Sequence, residues 1–232
     1  MSKVELKSEL GEILYTCDAD NYIDAIKKAN NEGIDLTGVY ISTDENEDLL
    51  WENISELEGL CLAGIKYDDE RWLEKSDNCF INMNLENSVI NLYDIEDGEV
   101  GYYDCNIKGA SLSSGFYTTI ENCIMNKNTI LPCADYCDDY TVKNCSYEFE
   151  DGSVMKLNDM NVCFTGVRDE VLEECLDKCG ISVSKSVTKN VNVVIAKDIN
   201  STSSKIKKAR EKGLKIVSYN DIKHSFNIIE EE

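Results

Sequence analysis

Cysteine, histidine and adjacent acidic residues are the side chains in this sequence that could bind a metal ion or act as nucleophiles. The chain of 232 residues has 11 cysteines but a single histidine, His224. The pairs Cys133/Cys137 and Cys175/Cys179 lack the CxxC spacing of zinc knuckles, and His224 lies far along the chain from most cysteines. We therefore predict no metal site, and cysteines that are reduced and buried as small apolar residues.

No residues with the spacing of a known catalytic motif accompany them. The sequence has neither a P-loop nor a GxGxxG run after a strand, and His224 has no obvious serine or cysteine nucleophile to serve. The adjacent acids Asp68-Asp69 and Asp138-Asp139 could bind a metal, but such pairs arise readily by chance in so acidic a chain. We predict a protein that is not an enzyme and needs no cofactor. One enzymatic alternative stays open, a hydrolase or lyase that uses carboxylates on a β-helix.

Acidic residues are concentrated in the first two thirds of the chain. The sequence contains 45 Asp and Glu against 23 Lys and Arg, for a formal net charge of −22. Residues 1–157 hold 33 of the acids and 11 of the bases, whereas residues 158–232 hold 12 of each. Such asymmetry indicates two bodies with different roles. We predict domains at 1–157 and 158–232, separated after the turn signal Asp151-Gly152.

Hydrophobic content and segment lengths indicate a folded protein without a membrane span. Hydrophobic residues make up 42% of the chain, which is enough for a packed core. No apolar run reaches the length of a transmembrane helix. The opening stretch MSKVELKSELGEILY lacks the basic-then-apolar order of a signal peptide. We expect a cytoplasmic protein.

Residues 158–232 show alternating strand and helix patterns. Residues 161–166 form a β-type run that ends at glycine, and residues 168–179 place apolar side chains at helical spacing. The apolar run 193–196 suits a central parallel strand. The other predicted elements are a strand at 181–183, a helix at 205–212, a strand at 214–217 and a helix at 220–226. The order βαββαβα predicts an α/β domain with a four-stranded parallel sheet.

These segments resemble a BRCT domain. Five stretches carry the likeness in the right order: VCFTG at 162–166, CG at 179–180, SVTKNVNVVIA at 186–196, SSKIKKAREKG at 203–213 and KIVSYNDI at 215–222. The likeness is strongest to the single BRCT modules of bacterial NAD-dependent DNA ligases and of the clamp-loader large subunit. The chain departs from the family in the last helix, where His224 or Phe226 stands near the family's frequent tryptophan.

The resemblance implies a phosphate-binding site at Thr165, Gly166 and Lys205. In the family, a Ser/Thr-Gly pair after the first strand and a lysine opening the second helix hold a phosphate. Arg168 and Lys189 could add charge from neighbouring loops. The implied partner is a protein, phosphorylated or not, or the 5′-phosphate end of DNA, and one BRCT copy lacks the groove that two copies form. In the alternative, Thr165-Gly166 only shapes a turn and Lys205 is solvated.

A helix followed by a five-residue period characterises residues 1–157. Apolar side chains between Tyr22 and Ala29 recur at helical spacing, and Gly33 ends the stretch. Further along, apolar residues recur every five positions, at Phe80, Leu85, Ile90, Ile95 and Val100. The series continues after a slip of two residues, at Ile107, Leu112 and Tyr117. Leu60, Phe80 and Val100 are also spaced by 20 residues, which is four of these periods. This spacing predicts coils of 20 residues with four five-residue sides.

This pattern resembles a pentapeptide-repeat protein. LTGVYI at 36–41, LEGLCLAGI at 57–65 and CNIKGASL at 105–112 carry the likeness. It implies that residues 1–157 form a β-rich, right-handed β-solenoid with an N-terminal capping helix. An irregular β-rich domain that happens to show a period of five is the alternative.

Together these features predict a two-domain, non-catalytic adaptor linked to DNA repair or replication. Its BRCT domain would dock the partner, and the acidic solenoid would present a second surface. Some pentapeptide-repeat proteins resemble duplex DNA in shape and charge, so an alternative is a DNA mimic that inhibits a DNA-binding enzyme. In a further alternative the acids only keep the protein soluble. The oligomeric state stays open, a dimer included.

Overall fold

The computed structural model describes residues 2–42, 54–69, 79–92, 100–113, 118–132 and 140–227. Several residues of the sequence predictions lie outside these ranges, namely Ile95, Cys133, Cys137, Asp138 and Asp139. Within the described ranges, no helix combines the length and the apolar character that crossing a membrane requires.

An antiparallel hairpin and one helix begin the fold. Strands β1 (Ser2–Lys7) and β2 (Ile13–Ala19) pair with each other, and helix α1 (Tyr22–Glu32) follows. The Asn21 side chain accepts a hydrogen bond from the Asp24 N–H, and Gly33 ends the helix in the left-handed conformation. The predicted helix is therefore confirmed, whereas the hairpin before it was not predicted.

Parallel strands dominate the part of the chain after α1. One sheet has the order β3-β4-β6-β8 and a second has the order β11-β9-β7-β5. The bounds in the first are β3 Tyr40–Ser42, β4 Lys66–Asp69, β6 Val89–Leu92 and β8 Ser111–Ser113. The bounds in the second are β5 Cys79–Ile81, β7 Val100–Tyr103, β9 Thr118–Glu121 and β11 Tyr140–Lys143. A third sheet joins β10 (Ile124–Asn126), β12 (Ser146–Glu148) and the antiparallel β13 (Val154–Lys156).

The register of these sheets departs from an even spacing of 20 residues. Phe80 pairs with Tyr102 and Ile90 pairs with Leu112, a spacing of 22 that contains the predicted two-residue slip. Tyr102 pairs with Ile120 at a spacing of 18, and Ile120 pairs with Val142 at a spacing of 22, so these two spacings were not predicted. The last residue of the five-residue series, Tyr117, lies outside the described residues. Inward placement is confirmed for the described members of the five-residue series, because Phe80, Leu85, Ile90 and Val100 are fully buried. Closure of the sheets into a pentapeptide-repeat solenoid stays a prediction.

Aromatic rings and thiols fill the interior between these sheets. The Phe80 and Tyr102 rings stack with centroids 4.8 Å apart, and the Tyr67 ring meets Phe80 edge-on at 6.1 Å. Buried thiols donate to main-chain carbonyls of these parallel strands at 3.3–3.4 Å: Cys105 to Phe80, Cys123 to Tyr102 and Cys145 to Ile120. Hydrogen bonds to the neighbouring thiols, with burial, hold the pKa of Cys123 far above its ordinary value. This thiol therefore stays protonated and unreactive at neutral pH.

The C-terminal part forms the predicted α/β domain. Its parallel sheet has the order β15-β14-β16-β17, and the elements follow one another as βαββαβα. The strands are β14 Asn161–Thr165, β15 Ser182–Val183, β16 Val193–Ala196 and β17 Lys215–Ser218. The helices are α2 Glu170–Lys178, α3 Ser204–Glu211 and α4 Tyr219–Ser225.

Helix α4 packs this domain against residues 127–131. Ser225 is fully buried, and its carbonyl accepts a hydrogen bond from the Leu131 N–H at 2.9 Å. The Ser225 hydroxyl donates to the Lys127 carbonyl at 3.1 Å, and Lys215 forms an ion pair with Asp151. One cluster of buried hydrophobic residues consequently runs from Leu6 to Phe226.

Candidate functional site

The predicted phosphate residues lie at the carboxyl edge of the parallel sheet. Thr165 is the last residue of β14, and it pairs in register with Ala196 at the end of β16. The Lys197 N–H then donates to the Thr165 carbonyl at 3.1 Å. Because parallel strands end at the same edge, the segments after β14 and β16 leave the sheet side by side.

Gly166 allows the chain to turn sharply at this edge. Its φ of +76° is in the left-handed region, which is costly for residues with a Cβ atom. A Cβ atom built on Gly166 would make an ordinary van der Waals contact with Cβ of Lys197 at 3.4 Å, so the backbone conformation is what favours glycine here. Gly166 is exposed, which leaves this turn open to a ligand.

Lys205 joins the end of β14 to the loop that follows β15. It is the second residue of α3, and its ammonium group donates to the Phe164 carbonyl at 2.7 Å and to the Lys185 carbonyl at 3.1 Å. A lysine ammonium has three N–H donors, so these two bonds leave one for a ligand. The contacts fix the positive charge beside Thr165 and Gly166.

Ser203 completes the cluster. It was not among the site residues predicted from the sequence. Its Oγ lies 3.5 Å from Oγ1 of Thr165 and accepts a hydrogen bond from the Ile206 N–H at 3.4 Å. Ser203 is thereby the N-cap of α3. The first-turn N–H groups and the helix dipole at this end both favour an anion. The sequence signal that could have identified Ser203 is its position directly before a basic helix.

Arg168 and Lys189 are exposed residues of the loops that adjoin this cluster. The exposed Arg168 guanidinium pairs with the Glu170 carboxylate at 3.0 Å, so its charge faces the first turn of α2. Lys189 is an exposed residue of the loop whose Lys185 carbonyl accepts from Lys205. The structure therefore brings together Thr165, Gly166 and Lys205, and it adds Ser203 and Lys197.

Basic residues are frequent in the stretch of chain that contains Lys205. Residues 185–212 contain eight Lys and Arg but only two acids, Asp198 and Glu211. The basic side chains at positions 207, 208, 210 and 212 of this stretch are exposed. Arg210 donates to the Ile199 carbonyl at 2.8 Å, and Lys212 donates to the Thr188 carbonyl at 3.1 Å. This basic segment suits a partner with several negative charges.

Metal chemistry has no candidate site among the described residues. No group of three or more histidine, cysteine, aspartate or glutamate side chains there is arranged to hold a metal ion.

Comparison with known proteins agrees with the C-terminal fold. Residues 152–226 match the model of the BRCA1 C Terminus (BRCT) domain family. A 65-residue stretch is 35% identical to "Putative DNA ligase 205R" of Invertebrate iridescent virus 6 and covers 28% of this chain. The match spans only 11% of the viral protein. No solved structure matches the chain significantly.

Proposed function

Because residues 152–226 form a BRCT domain, we propose that this chain is a non-catalytic binding protein that docks its partner through a phosphate group. The position of Lys205 carries the proposal. Its ammonium group is held beside Gly166 by the Phe164 and Lys185 carbonyls, with one donor left for a phosphate oxygen. A charge-assisted hydrogen bond from a fixed lysine is stronger than one from a mobile surface lysine, because less side-chain freedom is lost.

The surroundings of Lys205 supply the other donors that a phosphate needs. The Thr165 and Ser203 hydroxyls lie at the same edge, and the first turn of α3 directs N–H groups toward it. A terminal phosphate monoester presents three oxygen atoms, enough to engage the lysine, a hydroxyl and the helix N-terminus together. A phosphodiester within a chain presents fewer, which favours the end of a strand or a phosphorylated side chain.

The basic segment 185–212 supports DNA as the bearer of this phosphate. Its basic residues outside the cluster would contact the backbone of a duplex whose 5′-phosphate occupies the cluster. The viral relative is also named as a DNA ligase, an enzyme that acts on DNA ends. The acidic residues 1–157 repel DNA, so a duplex would approach only the BRCT face.

The two other functions stay predictions. A DNA mimic would need ordered carboxylates, but 15 of the 33 acids in residues 1–157 fall outside the described ranges. A β-helix hydrolase or lyase would need a carboxylate pair in a cleft, and nothing in the described residues favours one.

Fluorescence anisotropy with the full chain tests the proposal. The probes are one short duplex with a 5′-phosphate or a 5′-hydroxyl, and one serine peptide with or without phosphorylation. We expect the phosphorylated duplex to bind about tenfold more tightly than its hydroxyl form. A preference for the phosphopeptide instead would assign the site to proteins. Equal binding of both forms of both probes would refute a phosphate site.

A further inference from the structure

A cleft of about 220 Å³ lies between the C-terminal sheet and the turn that follows β12. One wall is strand β17, and all four of its residues, Lys215–Ser218, line the cleft. Residues 147–151 form another wall. Because successive side chains of a strand point to opposite faces, a cleft that all four residues line runs along the edge of β17.

This edge of β17 offers main-chain groups to a ligand. β17 is the last strand of its sheet, so β16 pairs with one edge and no described strand pairs with the other. The Lys215 N–H donates to the Asn192 carbonyl at 3.1 Å, on the side of β16. Since the N–H groups of successive strand residues point to opposite edges, the Ile216 N–H points away from β16. A peptide that pairs with β17 as an added strand can accept a hydrogen bond from it.

Aromatic rings and carboxylates line the same cleft. The Tyr147 and Phe149 rings meet edge-on with centroids 5.2 Å apart. The charged residues of the lining are four acids and two bases, namely Glu148, Glu150, Asp151, Asp221, Lys127 and Lys215. Burial and the charges of Asp221 and Glu150 raise the pKa of Tyr147, so negative potential reaches this ring. A concave site with an excess of negative charge attracts cations.

A lysine of the chain itself shows how this lining holds a cation. The Lys215 ammonium lies 5.2 Å from the centroid of the Phe149 ring and forms an ion pair with Asp151. The hydrogen bond from Lys215 holds the pKa of Asp151 well below its ordinary value. A ring face and a carboxylate together stabilise an ammonium or a guanidinium group. The same combination of groups therefore suits a basic side chain of a partner.

We propose that the cleft binds an extended basic peptide of a partner protein, which pairs with the open edge of β17 and places a lysine or arginine side chain among the acids and the rings. Main-chain pairing provides affinity for an extended segment, and the charges of the lining provide the preference for a basic one. None of the lining residues belongs to the phosphate cluster, so this binding is independent of the proposed phosphate site.

Fluorescence anisotropy of the full chain with two labelled peptides tests the cleft. One short peptide alternates lysine and valine, and the other alternates glutamate and valine. The net charge of −22 attracts any basic peptide, so variants that add equal charge are compared. Ile199 lines the cleft and is 44% exposed, whereas Val171 is 52% exposed on α2 and does not line it. We expect Ile199→Lys to weaken binding of the lysine peptide about tenfold and Val171→Lys by less than about twofold, because only the first charge lies in the cleft.

Amide hydrogen exchange of the full chain, followed by NMR, tests the strand pairing. The Ile216 N–H should exchange more slowly when the lysine peptide is bound. The Lys215 N–H is the control, because it already donates to the Asn192 carbonyl.

Three results would overturn the proposal. Equal loss of affinity in Ile199→Lys and Val171→Lys, or equal binding of the two peptides, would exclude the cleft as the site. Unchanged exchange of the Ile216 N–H in the saturated chain would exclude pairing with β17. Circular dichroism confirms folding of both variants, which is expected because both side chains are exposed.

Discussion

The ammonium nitrogen of Lys205 lies 2.7 Å from the carbonyl oxygen of Phe164, which precedes the threonine that ends β14. The same nitrogen donates to the Lys185 carbonyl, so one side chain joins a strand end, a loop and a helix start. This arrangement gives Lys205 two roles. It stabilises the edge of the sheet, and it fixes a positive charge where a phosphate would bind.

Lys205→Ala should impair both roles. We expect an approximately tenfold loss of affinity for 5′-phosphorylated duplex, and a decrease of about 1 kcal/mol in the free energy of unfolding from the lost hydrogen bonds. Lys207→Ala removes the same charge from the exposed side of the same helix. This substitution should change the free energy of unfolding little, and it should lower the affinity for phosphorylated and unphosphorylated duplexes alike. Anisotropy and urea unfolding measure the two effects, and identical behaviour of the variants would contradict the role of Lys205.

Gly166→Ala should disturb the phosphate site through the backbone. The left-handed conformation costs an alanine about 1 to 2 kcal/mol. Gly152→Ala is the control, because Gly152 has a φ of +77° and lies outside the phosphate cluster. Urea unfolding should show a similar loss of stability for both variants. Only Gly166→Ala should reduce phosphate binding, and an equal reduction by Gly152→Ala would count against this site.

Tyr102→Phe should stabilise the protein. The Tyr102 hydroxyl is buried without a hydrogen-bond partner among the described residues, and burial raises the pKa of this tyrosine. Removing an unsatisfied buried hydroxyl relieves a desolvation cost, so we expect a gain of about 1 kcal/mol in the free energy of unfolding. The ring stack on Phe80 persists in the variant. A loss of stability in thermal or urea unfolding would show that the hydroxyl has a partner.

Acid should destabilise the chain partly through Asp169. Its carboxylate caps α2 by accepting from the Leu172 N–H at 3.0 Å, and it accepts from the Tyr219 hydroxyl at 2.6 Å. Burial raises the pKa of Asp169, but these hydrogen bonds outweigh burial and leave the pKa below its ordinary value. A lowered folded-state pKa contributes stability above the unfolded pKa of about 3.9, and this contribution is lost as the pH falls through the folded pKa.

Asp169→Ala and Asp169→Asn separate the cap from the charge. Alanine should cost about 1 kcal/mol at neutral pH, whereas asparagine keeps a capping oxygen and should cost less. Both variants should lose less stability than the wild-type chain when urea unfolding is repeated below about pH 4. An unchanged acid dependence in both would contradict the assignment to Asp169.

Local signals in the sequence were sufficient for the C-terminal fold. The strand run before Gly166, the helix before Gly180 and the apolar run from Val193 each depend on near neighbours in the chain, and each formed as predicted. The helix before Gly33 was equally predictable, because its cap and its apolar stripe are local.

Contacts between segments that are distant in the sequence could not be predicted from the sequence pattern. The five-residue period identified inward side chains. Strand register, however, depends on the number of residues between paired strands, and this number varies along the chain. Ser203 reaches Thr165 only because β16 and α3 bring them together across 38 positions. The exposed ion pair between Arg168 and Glu170 was likewise not predicted.

The most direct test of the phosphate site is a titration of the ¹⁵N-labelled full chain with inorganic phosphate, followed by NMR. Sodium chloride at matched ionic strength is the control. We predict saturable shifts centred on the Gly166, Ser204 and Lys205 amides, and their loss in Lys205→Ala. Shifts centred elsewhere, or none beyond those that sodium chloride causes, would contradict a phosphate site at Lys205.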